Sequence, residues 1–168
     1  TLECHLGQYA TFENNVFSAL KTAFLRDAAP ILVPKNVSVT RPIHLLFIAT
    51  QQEVTSYPRC LLIGETGSNV TIIEDYVALQ DATYITNSVT EISLAANAHA
   101  RHIRVQRENT QAFHFANCAV SLAHASHYQS ASISLGSHIS RYNLDVRLLD
   151  EAAECIIDGL TLISDRQL

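Results

Sequence analysis

Methionine is absent from the chain, which begins at Thr1, and this is expected of a trimmed piece of something longer. Lysine and arginine together number only 11 against 16 acidic residues, giving a net charge of −5. The basic footprint of a nucleic-acid-binding surface is therefore missing. No apolar run approaches the length that a bilayer crossing demands, so nothing is expected to span a membrane. No basic-then-apolar leader precedes the body, so no signal peptide is visible, although a cleaved one would leave no trace. Charged residues make up 16% and apolar residues 48%, which excludes intrinsic disorder and coiled coil. What remains is one domain, long enough at 168 residues to bury a core.

Cysteine is sparse and scattered. Cys4, Cys60, Cys118 and Cys155 include no C-x-x-C pair, which argues against a zinc knuckle and against a disulfide scaffold. Reduced thiols in a cytosol-like compartment are expected. No G-x-S-x-G, Walker A, G-x-G-x-x-G or H-E-x-x-H pattern is present, so the residues carry no enzyme signature. Glycine is also scarce, with five in the chain, and Asp158-Gly159 is the only pair suited to a two-residue hairpin.

Against these absences stands a strong strand pattern. Val16, Phe17, Leu20, Ala23 and Phe24 fall at helical spacing and predict one amphipathic helix over roughly 14 to 27, ended by Pro30 and Pro34. From Ile31 onward the chain reads as short strands: 37–39, 43–48, 60–63, 70–79, 83–94, 100–107, 112–122, 128–135, 139–149 and 155–163. Alternation assigns their faces. Tyr142, Leu144, Val146 and Leu148 share one face. Ile103 and Val105 share a face that should be buried, opposite a solvated face of His102, Arg104, Gln106 and Glu108.

The corners between strands repeat. Ala98, Ala125 and Ala152 are evenly spaced, each between the end of one strand and the start of the next, and the segment around Gly67 is an earlier, looser copy. Two strands and two corners within that interval suit one coil of a β-helix, whose stacked backbones approach closely at small-residue corners. An antiparallel sandwich would need hairpin turns that this chain does not supply. The reading is an N-terminal helical segment over 1–30, then an all-β body over 31–168 that forms a parallel β-helix truncated at its C-terminal end.

The candidate chemistry is modest. Eight histidines (His5, His44, His99, His102, His114, His124, His127 and His138) are many for this length. His99-x-x-His102 and His124-x-x-His127 recur at nearly the spacing of the corner alanines, so stacked coils could bring them together around a metal. Parity opposes this, because residues i and i+3 of a strand point to opposite faces, and solvated strand and corner histidines are expected. The adjacent acids Glu74-Asp75 are split in the same way, Glu74 lying with Val70, Ile72 and Tyr76. Asp150-Glu151 sits in a corner, so neither pair is expected to supply the acid and base of a glycan-cleaving β-helix. Cys118 shares a face with Val120 and Leu122, and Cys155 with Ile157, as small buried hydrophobes do. No catalytic, cofactor-binding or metal-ligating residue is assigned.

Eight segments in register carry a resemblance: Thr22 to Asp27, Val33 to Val39, Arg41 to Ile48, Tyr57 to Ile63, Val70 to Tyr76, Thr86 to Glu91, Val105 to Glu108, and Ala153 to Leu160. Together, from Phe17 to Gln167, they resemble the core of the SufB/SufD family, subunits of the Suf iron–sulfur cluster assembly system. The Ala95 to Ala98 corner, glycine-rich in many SufB proteins, favours the SufD branch. The resemblance implies a right-handed parallel β-helix and a non-catalytic scaffold in the cytoplasm or plastid stroma, paired with SufB-like and SufC-like subunits. It implies that clusters and the ATP bound to SufC belong to the parent complex, with no cofactor bound by this segment. Partnership with nucleic acid or membrane is not expected, whereas self-association through an exposed coil end is. The reading from another class is an extracellular β-helix that binds or cleaves polysaccharide.

Overall fold

Alternating side chains commit each strand to two faces, and the topology decides which face is covered. A computed structural model of the protein describes residues 28–164 and 167–168. It contains eleven strands: β1 (Ala29–Val33), β2 (Ile43–Ala49), β3 (Thr55–Ser56), β4 (Arg59–Gly64), β5 (Asn69–Ala78), β6 (Ile85–Leu94), β7 (His99–Gln106), β8 (Phe113–Leu122), β9 (His127–Ser134), β10 (Ile139–Leu148) and β11 (Glu154–Thr161). They form two sheets. The first has the order β1-β4-β6-β8-β10, with β3 beside β6, and the second has the order β11-β9-β7-β5-β2. Every pairing is parallel. The chain alternates between the sheets and advances one strand per circuit, which is a parallel β-solenoid.

Two expectations are corrected. The fold class anticipated a helix ahead of the solenoid, but no helix occurs among the described residues, which are all-β. The stretch read as helical, 14–27, lies outside the described residues. The coil is also not uniform in length. Ala29 pairs with Cys60, Cys60 with Thr90, Thr90 with Cys118 and Cys118 with Leu144, so the offset between successive strands of the first sheet falls at every step.

The contraction occurs mainly on one side of the solenoid. The corners 65–68, 95–98 and 123–126 are equal in length, whereas the opposite connections shorten from 50–58, which includes β3, to the equally long 79–84 and 107–112 and then to 135–138. A left-handed residue marks each tight corner: Asn36, Gly67, Asn97, Ala125 and Ala152, with φ between 49° and 68°. Where the next corner follows, the amide of this residue donates to it: Gly67 to Ala96 O at 3.0 Å, Asn97 to His124 O at 2.9 Å and Ala125 to Glu151 O at 3.0 Å. The coil-to-coil stack therefore needs this conformation. Asn97, not Ala98, is the equivalent of Ala125, one position away from the alanine repeat.

The interior divides by position along the strands. Next to the tight corners it is apolar, with Val33, Leu62, Val70, Ile72, Ile92, Leu94, Val120 and Leu122 in one cluster. The rows Leu62–Ile92–Val120–Val146 and Gly64–Leu94–Leu122–Leu148 run through successive coils. Each Å² of apolar surface buried in this half contributes roughly 25 cal/mol to stability. Towards the loops the interior becomes polar, and the candidate site lies there.

Candidate functional site

Strands β5 and β7 carry the polar interior. Their inward positions pair in register: Ile72 with His102, Glu74 with Arg104 and Tyr76 with Gln106. The sheet opposite contributes Thr86, Thr90, His114 and Cys118, all buried. The face assignment made for this part of the chain is thus inverted. His102, Arg104, Gln106 and Glu108 are buried, while Ile103 and Val105 lie half-buried on the outer face. Polar side chains are tolerated there because neighbouring coils supply hydrogen-bond partners that the strand itself does not.

Two carboxylates organise the interior. Glu74 accepts hydrogen bonds from Thr90 Oγ1 at 2.6 Å and from Tyr76 OH at 3.1 Å, and faces His102 Nε2 at 3.6 Å. Burial pushes the Glu74 carboxyl up, but His102, Thr90 and Arg104 outweigh it and hold the group ionised. Burial likewise pushes His102 down, and the Glu74 charge overrides it, so the imidazolium persists. The other ring nitrogen, Nδ1, lies 2.9 Å from Tyr128 OH, which is 4.0 Å from Cys118 Sγ. Glu108 accepts from Thr86 Oγ1 at 2.8 Å, Gln106 Nε2 at 3.2 Å and His114 Nδ1. Burial pushes Glu108 up, and His114, Thr86 and Gln106 bring it below its ordinary value. Burial dominates at His114 and keeps it neutral. Two ionised acids, one imidazolium and the Arg104 guanidinium share the interior.

The remaining histidines and acids are separated from this cluster. His99 and His127 stack on the outer face with ring centroids 4.5 Å apart, and His127 Nδ1 reaches Glu154 at 2.9 Å. His124 sits in a corner 4.0 Å from Asp150. His138 packs against the edge of Phe113, and exposed His44 lies 3.5 Å from Asp75. His5 and Cys4 lie outside the described residues. Parity thus separates His99 from His102 as anticipated, but the expected solvation fails for His102 and His114, both 0% exposed. Glu74 and Asp75 are split across the sheet, and Asp75 is held outside by Arg107 at 2.6 and 2.9 Å. Asp150 and Glu151 are exposed in their corner. Cys118 is buried, whereas Cys155 is only half-buried.

Arg104, Gln106, Glu108 and Tyr128 are the site residues that sequence reasoning missed. Their signal was present as a polar parity on β7, readable only with the coil offset that sets Arg104 beside Glu74. A groove of about 840 Å³ opens beside Phe47, Tyr76, Thr86 and Glu108. Among the described residues, no helix is long and apolar enough to cross a membrane.

Comparison with known proteins adds family information. The family model described as "SUF system FeS cluster assembly, SufBD core domain" matches residues 47–168. The model described as "SufBD protein N-terminal region" matches residues 1–45. The chain is similar to an iron–sulfur cluster assembly SufBD family protein of Synechocystis sp., with 36% identity over 98% of this chain and 38% of that protein. Similarity to the iron–sulfur cluster assembly protein SufD of Escherichia coli is 30% over 88% of this chain and 36% of that protein. The chloroplastic protein ABCI7 of Arabidopsis thaliana is 28% identical over 73% of this chain and 28% of its own length. The chain therefore spans less than two fifths of the length of these curated relatives. No solved structure matches it.

Proposed function

The chain belongs to the SufBD family of the SUF iron–sulfur cluster assembly system, and we propose that it serves there as a SufD-like, non-catalytic scaffold segment working with SufB-like and SufC-like subunits. The observation that carries the proposal is the match of the family's core domain to residues 47–168, the stretch that holds the end of β2 and all of β3 to β11. Similarity to a protein named SufD favours that branch. The placement of the acids supports a scaffold role. Glu74 is committed to His102, Thr90 and Tyr76, while Asp75 faces the other side of the sheet with Arg107, so the two carboxylates cannot flank one bond.

In this reading the chain itself binds no cofactor. Iron–sulfur clusters belong to the assembled complex, and ATP belongs to the SufC-like subunit. The compartment is the bacterial cytoplasm or the plastid stroma, the relatives being bacterial and chloroplastic. The test is co-expression of the parent protein with SufB-like and SufC-like subunits, followed by affinity purification and measurement of iron and sulfide. Co-elution, with lower cluster content when this protein is omitted, is the expected result. Absence of association together with unchanged cluster content would overturn the proposal.

A further inference from the structure

The outer faces of the two sheets differ in burial. On the first sheet the outward row Leu61–Glu91–Ala119–Asp145 lies beside the row Arg59–Val89–Asn117–Asn143. Leu61 and Glu91 are 0% exposed, Val89 2% and Arg59 4%, and the Arg59–Glu91 ion pair at 2.8 Å is buried with them. Burial fades towards both edges of the sheet, since Asp145 and Arg147 on β10 are exposed, as are Pro30 and Leu32 on β1. On the second sheet no outward apolar side chain among the described residues is buried. Leu46 and Ile48 are exposed there, and Ile73, Ile103, Val105 and Ile133 are half-buried.

A side chain on a sheet face open to water does not reach full burial, because its sheet neighbours screen only its flanks. The face of β4, β6 and β8 is therefore covered. The described residues form the two sheets and the connections at their ends, so none of them lies over it. Positions 165–166 join Ser164 to Gln167, which donates to Ser137 O in the far coil. That leaves residues 1–27. Strand β1 begins at Ala29, which pairs with Cys60 between Arg59 and Leu61, so this segment joins the solenoid at the rim of the covered patch. Among its residues are Val16, Phe17, Leu20, Ala23 and Phe24, an apolar set that suits Leu61, Val89 and Ala119.

We propose that the segment 14–27 of this chain lies across the outer face of the first sheet, over Leu61, Val89 and Ala119, and closes that face to other partners. The Arg59–Glu91 pair carries no net charge, so an apolar cover leaves no charge unanswered beneath it. The sheet face that stays open to a partner is then the outer face of the second sheet, with Leu46, Ile48, Ile103 and Val105.

The experiment compares Val89→Cys with Val105→Cys in the parent protein, its other accessible cysteines changed to serine. Both positions face outward, one on each sheet. A buried thiol reacts only through local opening, so Val89→Cys should be alkylated at least about tenfold more slowly than Val105→Cys. Adding Phe17→Asp and Phe24→Asp should bring Val89→Cys up to the rate of Val105→Cys and leave the latter unchanged. Because those aspartates can disturb folding, a photo-crosslinking benzoylphenylalanine in place of Phe24 provides a second arm. Its adducts are expected on 59–63, 87–93 or 115–121 of the same molecule. Equal alkylation of the two cysteines, protection of Val89→Cys that survives the aspartates, or adducts on the second sheet or on another molecule would each overturn the proposal.

Discussion

The two sides of this solenoid solve the same stacking problem differently. On the tight-corner side, the complete corners between β4 and β9 keep one length, and the interior is aliphatic, as in the row Leu62–Ile92–Val120–Val146. On the loop side the connections shorten from 50–58 to 135–138, and the interior holds Glu74, His102, Arg104 and Glu108. Aliphatic side chains need only volume, so one coil substitutes for another with little change in geometry. Charged groups need specific partners, and here most of those partners come from other strands. Gly136 shows how closely that side is fitted, since a Cβ there would lie 1.9 Å from Glu108 O.

The sharpest way to break the comparison is to remove one partner of the buried ion pair. Glu74→Ala leaves His102 facing no carboxylate and should cost about 3–5 kcal/mol in urea unfolding. The double variant Glu74→Ala/His102→Ala should recover part of that loss, because it removes the stranded charge. A loss below about 1 kcal/mol for the single variant would show that the pair is not ionised in the folded protein.

A smaller effect concerns pH. The folded-state value of His102 is raised from 6.5 to about 10, so its contribution is fully present below pH 6.5 and is lost as the pH climbs towards 10. Glu74 is lowered from 4.5 to about 2, so its contribution is present above pH 4.5 and lost as the pH falls through the folded value. Neutral His114 has the opposite sign to His102, favouring the fold above pH 6.5. Urea midpoints of the wild type should therefore decline between pH 7 and 9, and His102→Gln should flatten that decline. An unchanged slope in His102→Gln would assign it to other groups.

The smallest effect lies on the aliphatic side. Ala125 adopts a left-handed φ of 49°, which costs a residue with a Cβ roughly 1–2 kcal/mol. Ala125→Gly should relieve most of this but raise the entropy of the unfolded chain, for a net gain below about 1 kcal/mol in thermal unfolding. Gly67→Ala should lose stability, because its Cβ would approach Asn36 Oδ1 to 2.5 Å. A loss of stability in Ala125→Gly would show that the methyl packing outweighs the strain.

Much of the strand layout was legible because period-2 alternation survives in the long strands. The scarcity of glycine also correctly favoured a solenoid over hairpins. The coil period was legible only approximately. Ala98, Ala125 and Ala152 share a composition, but the residue in the left-handed conformation is Asn97, whose side chain hides its equivalence to Ala125. The buried site was the least legible part. Alternation on β7 distinguishes Ile103 and Val105 from His102 and Arg104, yet it cannot say which set faces inward.

By itself, the sequence determined that the chain would form short strands with small-residue corners. Those properties follow from local sterics and side-chain parity, which act over short stretches of chain. It also separated Glu74 from Asp75, and His99 from His102, since residues of opposite parity on a strand cannot share a face. Only the tertiary structure decided that the polar face of β7 is the buried one. Thr90 reaches Glu74 and Tyr128 reaches His102 from distant parts of the chain, so their partnership depends on the offset between coils. A hydrogen-bonded charge can then reside inside a solenoid where an unpartnered one could not.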